Sequence, residues 1–131
     1  MADERSPDMD ALAAHLDRAW DLLGRGEVRA ARASAEAMLK LDPDSPEGLT
    51  ALAAVAAAEG DPDEALEHVR RALDADPDYL DAQLYGAELS VLALRDWELA
   101  LEFCDRAEPL AAERDDQIEV ALLRVEALAG A

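Results

Sequence analysis

Apolar stretches alternate along this chain with short polar segments that carry its glycine, proline and much of its aspartate. The pattern predicts helices over residues of about 9–24, 27–41, 46–59, 62–75, 79–94 and 96–108, and one more over 115–129. Gly26 and Gly60 fall inside two of the pairs, where a tight helix-to-helix turn needs a residue that tolerates positive φ. Pro43 and Pro77 follow second helices, where a fixed φ and a missing N–H stop helical hydrogen bonding. Asp44-Ser45-Pro46 then supplies an N-cap followed by proline at the first helical position. Little room is left for a β-sheet.

The pairs repeat. A shift of 34 residues superposes Gly26 on Gly60, Ala31 on Ala65, Leu39 on Leu73 and Asp42-Pro43-Asp44 on Asp76-Pro77-Asp78. A further shift of 35 carries Asp61 onto Asp96, Ala65-Leu66-Glu67 onto Ala100-Leu101-Glu102, and Arg71-Ala72 onto Arg106-Ala107. Matched glycines, small residues and prolines in the same order twice are not a chance pattern. Ala31, Ala65 and Ala100 are expected at mid-helix contacts, where a larger side chain would force paired helices apart.

These residues resemble the tetratricopeptide repeat family, whose 34-residue helix-turn-helix units stack into a right-handed superhelix. In the second repeat Leu52, Ala53, Ala56, Gly60, Ala65, Val69, Ala72 and Pro77 fall where that family places its packing residues. In the first, Arg18, Ala19, Leu22, Gly26, Ala31, Ala35, Met38 and Pro43 do so less faithfully: Arg18 stands where leucine is usual and His15 where tryptophan is common. The third has Gly86, Ala87, Ala100, Cys104 and Ala107, but Arg95-Asp96 replaces the turn glycine with one extra residue, and Pro109 arrives three residues early. The resemblance implies an all-α fold, a right-handed α-solenoid of three helix hairpins plus a C-terminal helix, about seven helices in all. The repeats are expected over about 9–44, 45–78 and 79–112, after a flexible N-terminus of residues 1–8.

The last helix, 115–129, aligns with the second repeat at a shift of 70, which puts Leu52 on Leu122, Val55 on Val125, Ala57 on Ala127 and Gly60 on Gly130. That register predicts that Ile118, Ala121, Leu122, Val125 and Leu128 pack on the third repeat. Val120, Leu123 and Ala127 then form a second, outward stripe, a candidate for self-association. Either the helix is a half-repeat cap, or the chain is the front module of a longer protein, such as the zinc peptidases that carry such segments in front of a catalytic domain.

Family geometry implies a concave face lined by the first helix of each repeat. Its predicted lining is Leu16, Trp20 and Leu23, then Glu47, Thr50, Ala54 and Ala57, then Asp81, Leu84, Glu88 and Val91. The lysine, arginine and asparagine with which some family members grip a chaperone's C-terminal carboxylate are missing from this lining. The expected function is a scaffold that binds a basic or apolar segment of another protein.

Composition supports that reading by exclusion. The 131 residues contain 31 Asp and Glu against 12 Lys and Arg, a formal net charge of -19, which disfavours nucleic acid and anionic membrane surfaces as partners. The N-terminal MADERSPDMD lacks the apolar core of a signal peptide, and no apolar run approaches the ~20 residues that span a bilayer, so the cytoplasm is the expected compartment. His15 and His68 are far apart, and no HExxH, CxxC or glycine-rich phosphate loop occurs. Glu64 and His68 are expected to form an exposed i,i+4 pair, and the lone Cys104 to be a small core residue. No catalytic residue, metal or cofactor is predicted, and the chain is not expected to be an enzyme.

Overall fold

The computed structural model describes residues 7–131, and within them seven α-helices follow one another without a strand. Helices α1 (Pro7–Gly24) and α2 (Val28–Leu41), α3 (Pro46–Ala58) and α4 (Pro62–Ala75), and α5 (Leu80–Leu89) and α6 (Trp97–Ala107) form three hairpins, and α7 (Arg114–Gly130) closes the series. Each hairpin touches the next through α2 with α3, α4 with α5 and α6 with α7, and the first helices also meet in sequence, α1 with α3, α3 with α5 and α5 with α7. The result is an open stack. Pro7 and Asp8, expected in a flexible segment, begin α1; residues 1–6 lie outside the described residues. No described helix is long and apolar enough to cross a membrane.

Local chemistry sets the helix ends. The Ser45 hydroxyl accepts from the Gly48 N–H at 3.1 Å, Asp61 from Glu64 at 3.1 Å and Asp96 from Leu99 at 3.0 Å, each satisfying a donor that has no partner inside its helix. Asp42 and Asp76 accept from the N–H groups two residues on, at 3.1 and 3.0 Å, and so shape both Asp-Pro-Asp links. Gly26 (φ 78) and Gly60 (φ 86) sit in the left-handed region, and their turns close through Glu27 N–H to Leu22 O and Asp61 N–H to Ala56 O.

The third hairpin carries one more residue in its turn. Its closing bond runs from Asp96 N–H to Ser90 O at 2.9 Å, and α5 unwinds into a π-helical segment, Ser90–Leu94, to absorb the insertion. Arg95 takes the left-handed conformation (φ 54) that glycine takes in the other two turns, and its guanidinium lies 5.2 Å over the Trp97 ring.

Alanine dominates the core. Ala31, Ala65 and Ala100 are fully buried, as are Ala53 and Ala56 of α3, so paired helices approach closely over small contact residues, with Leu49, Val55 and Val69 filling the gaps. Cys104 is buried beside them, and burial pushes its thiol pKa up.

Helix α7 is rotated from its expected setting. Val120 (4% exposed), Leu123 (8%) and Ala127 (0%) pack inward, whereas Ile118, Ala121, Leu122, Val125 and Leu128 face outward. A shift of 72, not 70, describes this register. It sets Val120, Leu123 and Ala127 on Gly48, Ala51 and Val55, the side of α3 that packs on the preceding hairpin. The link after α6 contains a 3-10 turn, Glu108–Leu110, that holds Pro109, and it delays α7 by two residues. Two residues are a rotation of about 200° on a helix. Arg124 fixes the setting by donating to Asp105 and Glu108 of the preceding segment, both at 2.7 Å.

Candidate functional site

One side of the stack is a groove of about 530 Å³ formed chiefly by the first helices. It brings together six of the residues expected there: Leu16 and Trp20 of α1, Thr50 of α3, and Asp81, Leu84 and Glu88 of α5. Trp20 stays 42% exposed, so its ring presents a flat apolar surface that the core does not use. Thr50 donates its hydroxyl to the Pro46 carbonyl at 2.7 Å and is almost fully buried at the floor of the groove.

Five expected lining residues lie elsewhere. Glu47 joins a neighbouring apolar groove that shares Leu16 and runs past Met9, Leu12 and Met38. Leu23 packs against Leu22, Ala31 and Val55; Ala57 and Val91 belong to the central core; Ala54 is buried at 8% exposure. Ala54 and Val91 are covered by neighbouring helices, whereas Leu23, Glu47 and Ala57 stay partly exposed outside this groove.

Four lining residues have no counterpart in the expectation: Asp17, Tyr79, Tyr85 and Glu119. Tyr79 is the N-cap residue of α5, and its hydroxyl donates to Asp81 at 3.4 Å. Tyr85 directly follows Leu84 on α5, and Glu119 arrives only because α7 is rotated. At the shift of 72, Glu119 falls on Glu47, a first-helix position expected to line the groove. That shift was the one signal in the sequence that pointed to it.

The groove is strongly acidic. Asp17, Asp81, Glu88 and Glu119 line it, and among the described residues no lysine, arginine or histidine does. Partial burial raises the Glu119 pKa above its ordinary value, and Glu88, Asp116 and Asp81 push it the same way. Burial, with Glu88 nearby, pushes Tyr85 up to about 12; burial also raises Tyr79, helped by Asp81 and Glu47. Ionising a phenol or another carboxylate here adds negative charge to negative charge. A cation entering the groove relieves that repulsion.

Away from the groove, His68 Nε2 lies 3.4 Å from Glu64, and its side chain is only 12% exposed, so the pair is more enclosed than an open surface pair. Arg32 bonds Glu59 through two nitrogens and tethers α2 to the end of α3. Among the described residues no cluster of three or more His, Cys, Asp or Glu side chains is arranged to hold a metal ion.

The sequence profile of the tetratricopeptide repeat family matches residues 16–79 and again 60–116. The chain belongs to that family. As a tetratricopeptide repeat protein it is similar in fold to the TPR2B domain of yeast Sti1 in its pHsp70 complex, with TM-score 0.81 and 21% identity over 92% of this chain and 98% of that one. It is also similar to the type III secretion translocator chaperone SycD of Yersinia enterocolitica (TM-score 0.78, 19% identity, 96% of this chain and 88% of that one). A third likeness is PcrH in complex with the chaperone binding region of PopD (TM-score 0.76, 21% identity, 99% and 96%). No curated protein matches the sequence.

Proposed function

We propose that this tetratricopeptide repeat protein is an adaptor whose groove takes a segment of another protein, built around an apolar residue flanked by lysine or arginine. The observation that carries this reading is the lining: four carboxylates, two tyrosines, Trp20 and two leucines, with no basic side chain among the described residues. Leu16, Leu84 and Trp20 offer an apolar seat, and the surrounding carboxylates match cationic flanks. The aromatic faces add cation–π partners for the same groups. Two of the similar structures, the Sti1 domain and PcrH, were solved in complex with other proteins or their segments, which supports protein binding as the activity. With a net charge of -19, long-range attraction speeds association with a basic segment.

The test is fluorescence anisotropy with two labelled peptides, one carrying leucine between lysines and one carrying leucine between glutamates. The lysine peptide is expected to bind, more weakly as salt rises, and to lose at least ten-fold in affinity with Glu88→Lys or Trp20→Ala. Equal binding of the glutamate peptide, or indifference to both substitutions, refutes the reading.

A further inference from the structure

We infer that the cation this groove selects is a guanidinium, so that the bound segment carries arginine in preference to lysine. This deepens the adaptor reading above and rests on it. The chain has five aromatic side chains, two Trp, two Tyr and one Phe, and three of them, Trp20, Tyr79 and Tyr85, line this one groove. Each stands beside a groove carboxylate. Asp17 and Trp20 are three residues apart on α1, as are Tyr85 and Glu88 on α5. Asp81 precedes Tyr85 by four residues, and its carboxylate accepts the Tyr79 hydroxyl at 3.4 Å. Residues three and four apart share a helix face, with Cβ atoms about 5–6 Å from one another. Glu119 joins them from α7, near enough to Glu88 and Asp81 to feel both charges.

Ring and carboxylate together discriminate among cations. A guanidinium is planar, so it stacks on an aromatic face and also forks two N–H bonds to a carboxylate. An ammonium is a compact point charge, more strongly hydrated, and it gains less from entering a groove walled by rings. A trimethylammonium takes the ring faces but has no N–H to give the carboxylates. The guanidinium alone uses both kinds of wall at once. The acids are also unclaimed: among the described residues the ion pairs are made by other carboxylates, and Asp17, Asp81, Glu88 and Glu119 enter none of them. The molecule makes both contacts within itself elsewhere. Arg95 lies 5.2 Å over the Trp97 ring, and Arg32 forks Glu59 through Nε and Nη2. The groove supplies the same two partners to an arginine from outside.

The experiment is fluorescence anisotropy of the whole chain with four labelled peptides that differ only in the residues flanking a central leucine: arginine, lysine, trimethyllysine or citrulline. The arginine peptide is expected to bind roughly three- to ten-fold more tightly than the lysine peptide, the worth of a ring contact and a forked hydrogen bond. The trimethyllysine peptide, and the citrulline peptide that keeps the planar shape without the charge, are both expected to bind more weakly than the arginine peptide. Tyr85→Leu and Trp20→Leu should each shrink the arginine-to-lysine ratio, whereas Tyr85→Phe keeps the ring and should keep the ratio. Trp20 is 42% exposed, so its replacement carries the test even where Tyr85→Leu disturbs the fold. Equal affinity for arginine and lysine, tightest binding of trimethyllysine, or a ratio indifferent to both ring replacements overturns the proposal and leaves the adaptor reading standing. Citrulline matching arginine, or no binding by any cationic peptide, overturns both.

Discussion

Gly86→Ala sets two known effects against each other at one site. Gly86 lies within α5 and faces the Phe103 ring of α6. A Cβ built there stands 2.6 Å from Cε1, 2.7 Å from Cζ and 2.8 Å from Cδ1 of that ring, where ordinary contact begins near 3.4 Å. Replacing an interior helical glycine by alanine stabilises a helix by about 1 kcal/mol when nothing intervenes. Forcing a methyl group into a packed contact costs about 1–3 kcal/mol. Phe103 is only 6% exposed, and a rigid ring cannot bend away at one end as a long side chain does. It does border an open groove with Leu73 and Leu99, so it can swing outward, at the expense of its own burial. The expected net is a destabilisation of about 0–2 kcal/mol, a fall of up to roughly 8 °C in Tm for a domain of this size. Thermal and urea unfolding followed by far-UV circular dichroism measure it. In a Phe103→Leu background the clash is relieved, and Gly86→Ala should become neutral or stabilising, a coupling that a double-mutant cycle isolates. A rise in Tm on adding Gly86→Ala to the otherwise unchanged chain refutes the reasoning.

Two further outcomes follow from the core and the groove. Ala65 is fully buried against α3, so Ala65→Leu is expected to destabilise by about 1–3 kcal/mol through overpacking, and unchanged thermal stability would remove Ala65 from that contact. The raised Glu119 pKa gives peptide binding a pH dependence: a cationic segment favours the ionised carboxylate, so binding releases a proton and affinity rises as pH climbs through that raised pKa. Isothermal titration of the lysine peptide at acidic and neutral pH checks this, and Glu119→Gln should flatten the difference.

Helix ends and the hairpin period are written into the chain locally. Ser45, Asp61 and Asp96 cap helices through bonds to residues three positions on, and Gly26 and Gly60 supply turns that need a left-handed residue, so neither depends on distant parts of the fold. The small residues Ala31, Ala65 and Ala100 mark the helix contacts for the same reason, and six groove residues could be placed because they share one face of each first helix. The rotation of α7 was a different matter. Its sequence carries two apolar stripes, and each residue gained or lost in the preceding link turns the helix by about 100°. Hydrophobicity alone could not choose between Leu122 and Leu123 as the inward residue. Contact with α5 and α6 chose Leu123, and by doing so it carried Glu119 into the groove and left Ile118, Leu122, Val125 and Leu128 on the open end. Likewise Tyr79 and Glu119, 40 residues apart in the chain, line one groove only once the hairpins have stacked. The periodicity of single helices is a local property, whereas the angle of one helix against another is settled by packing.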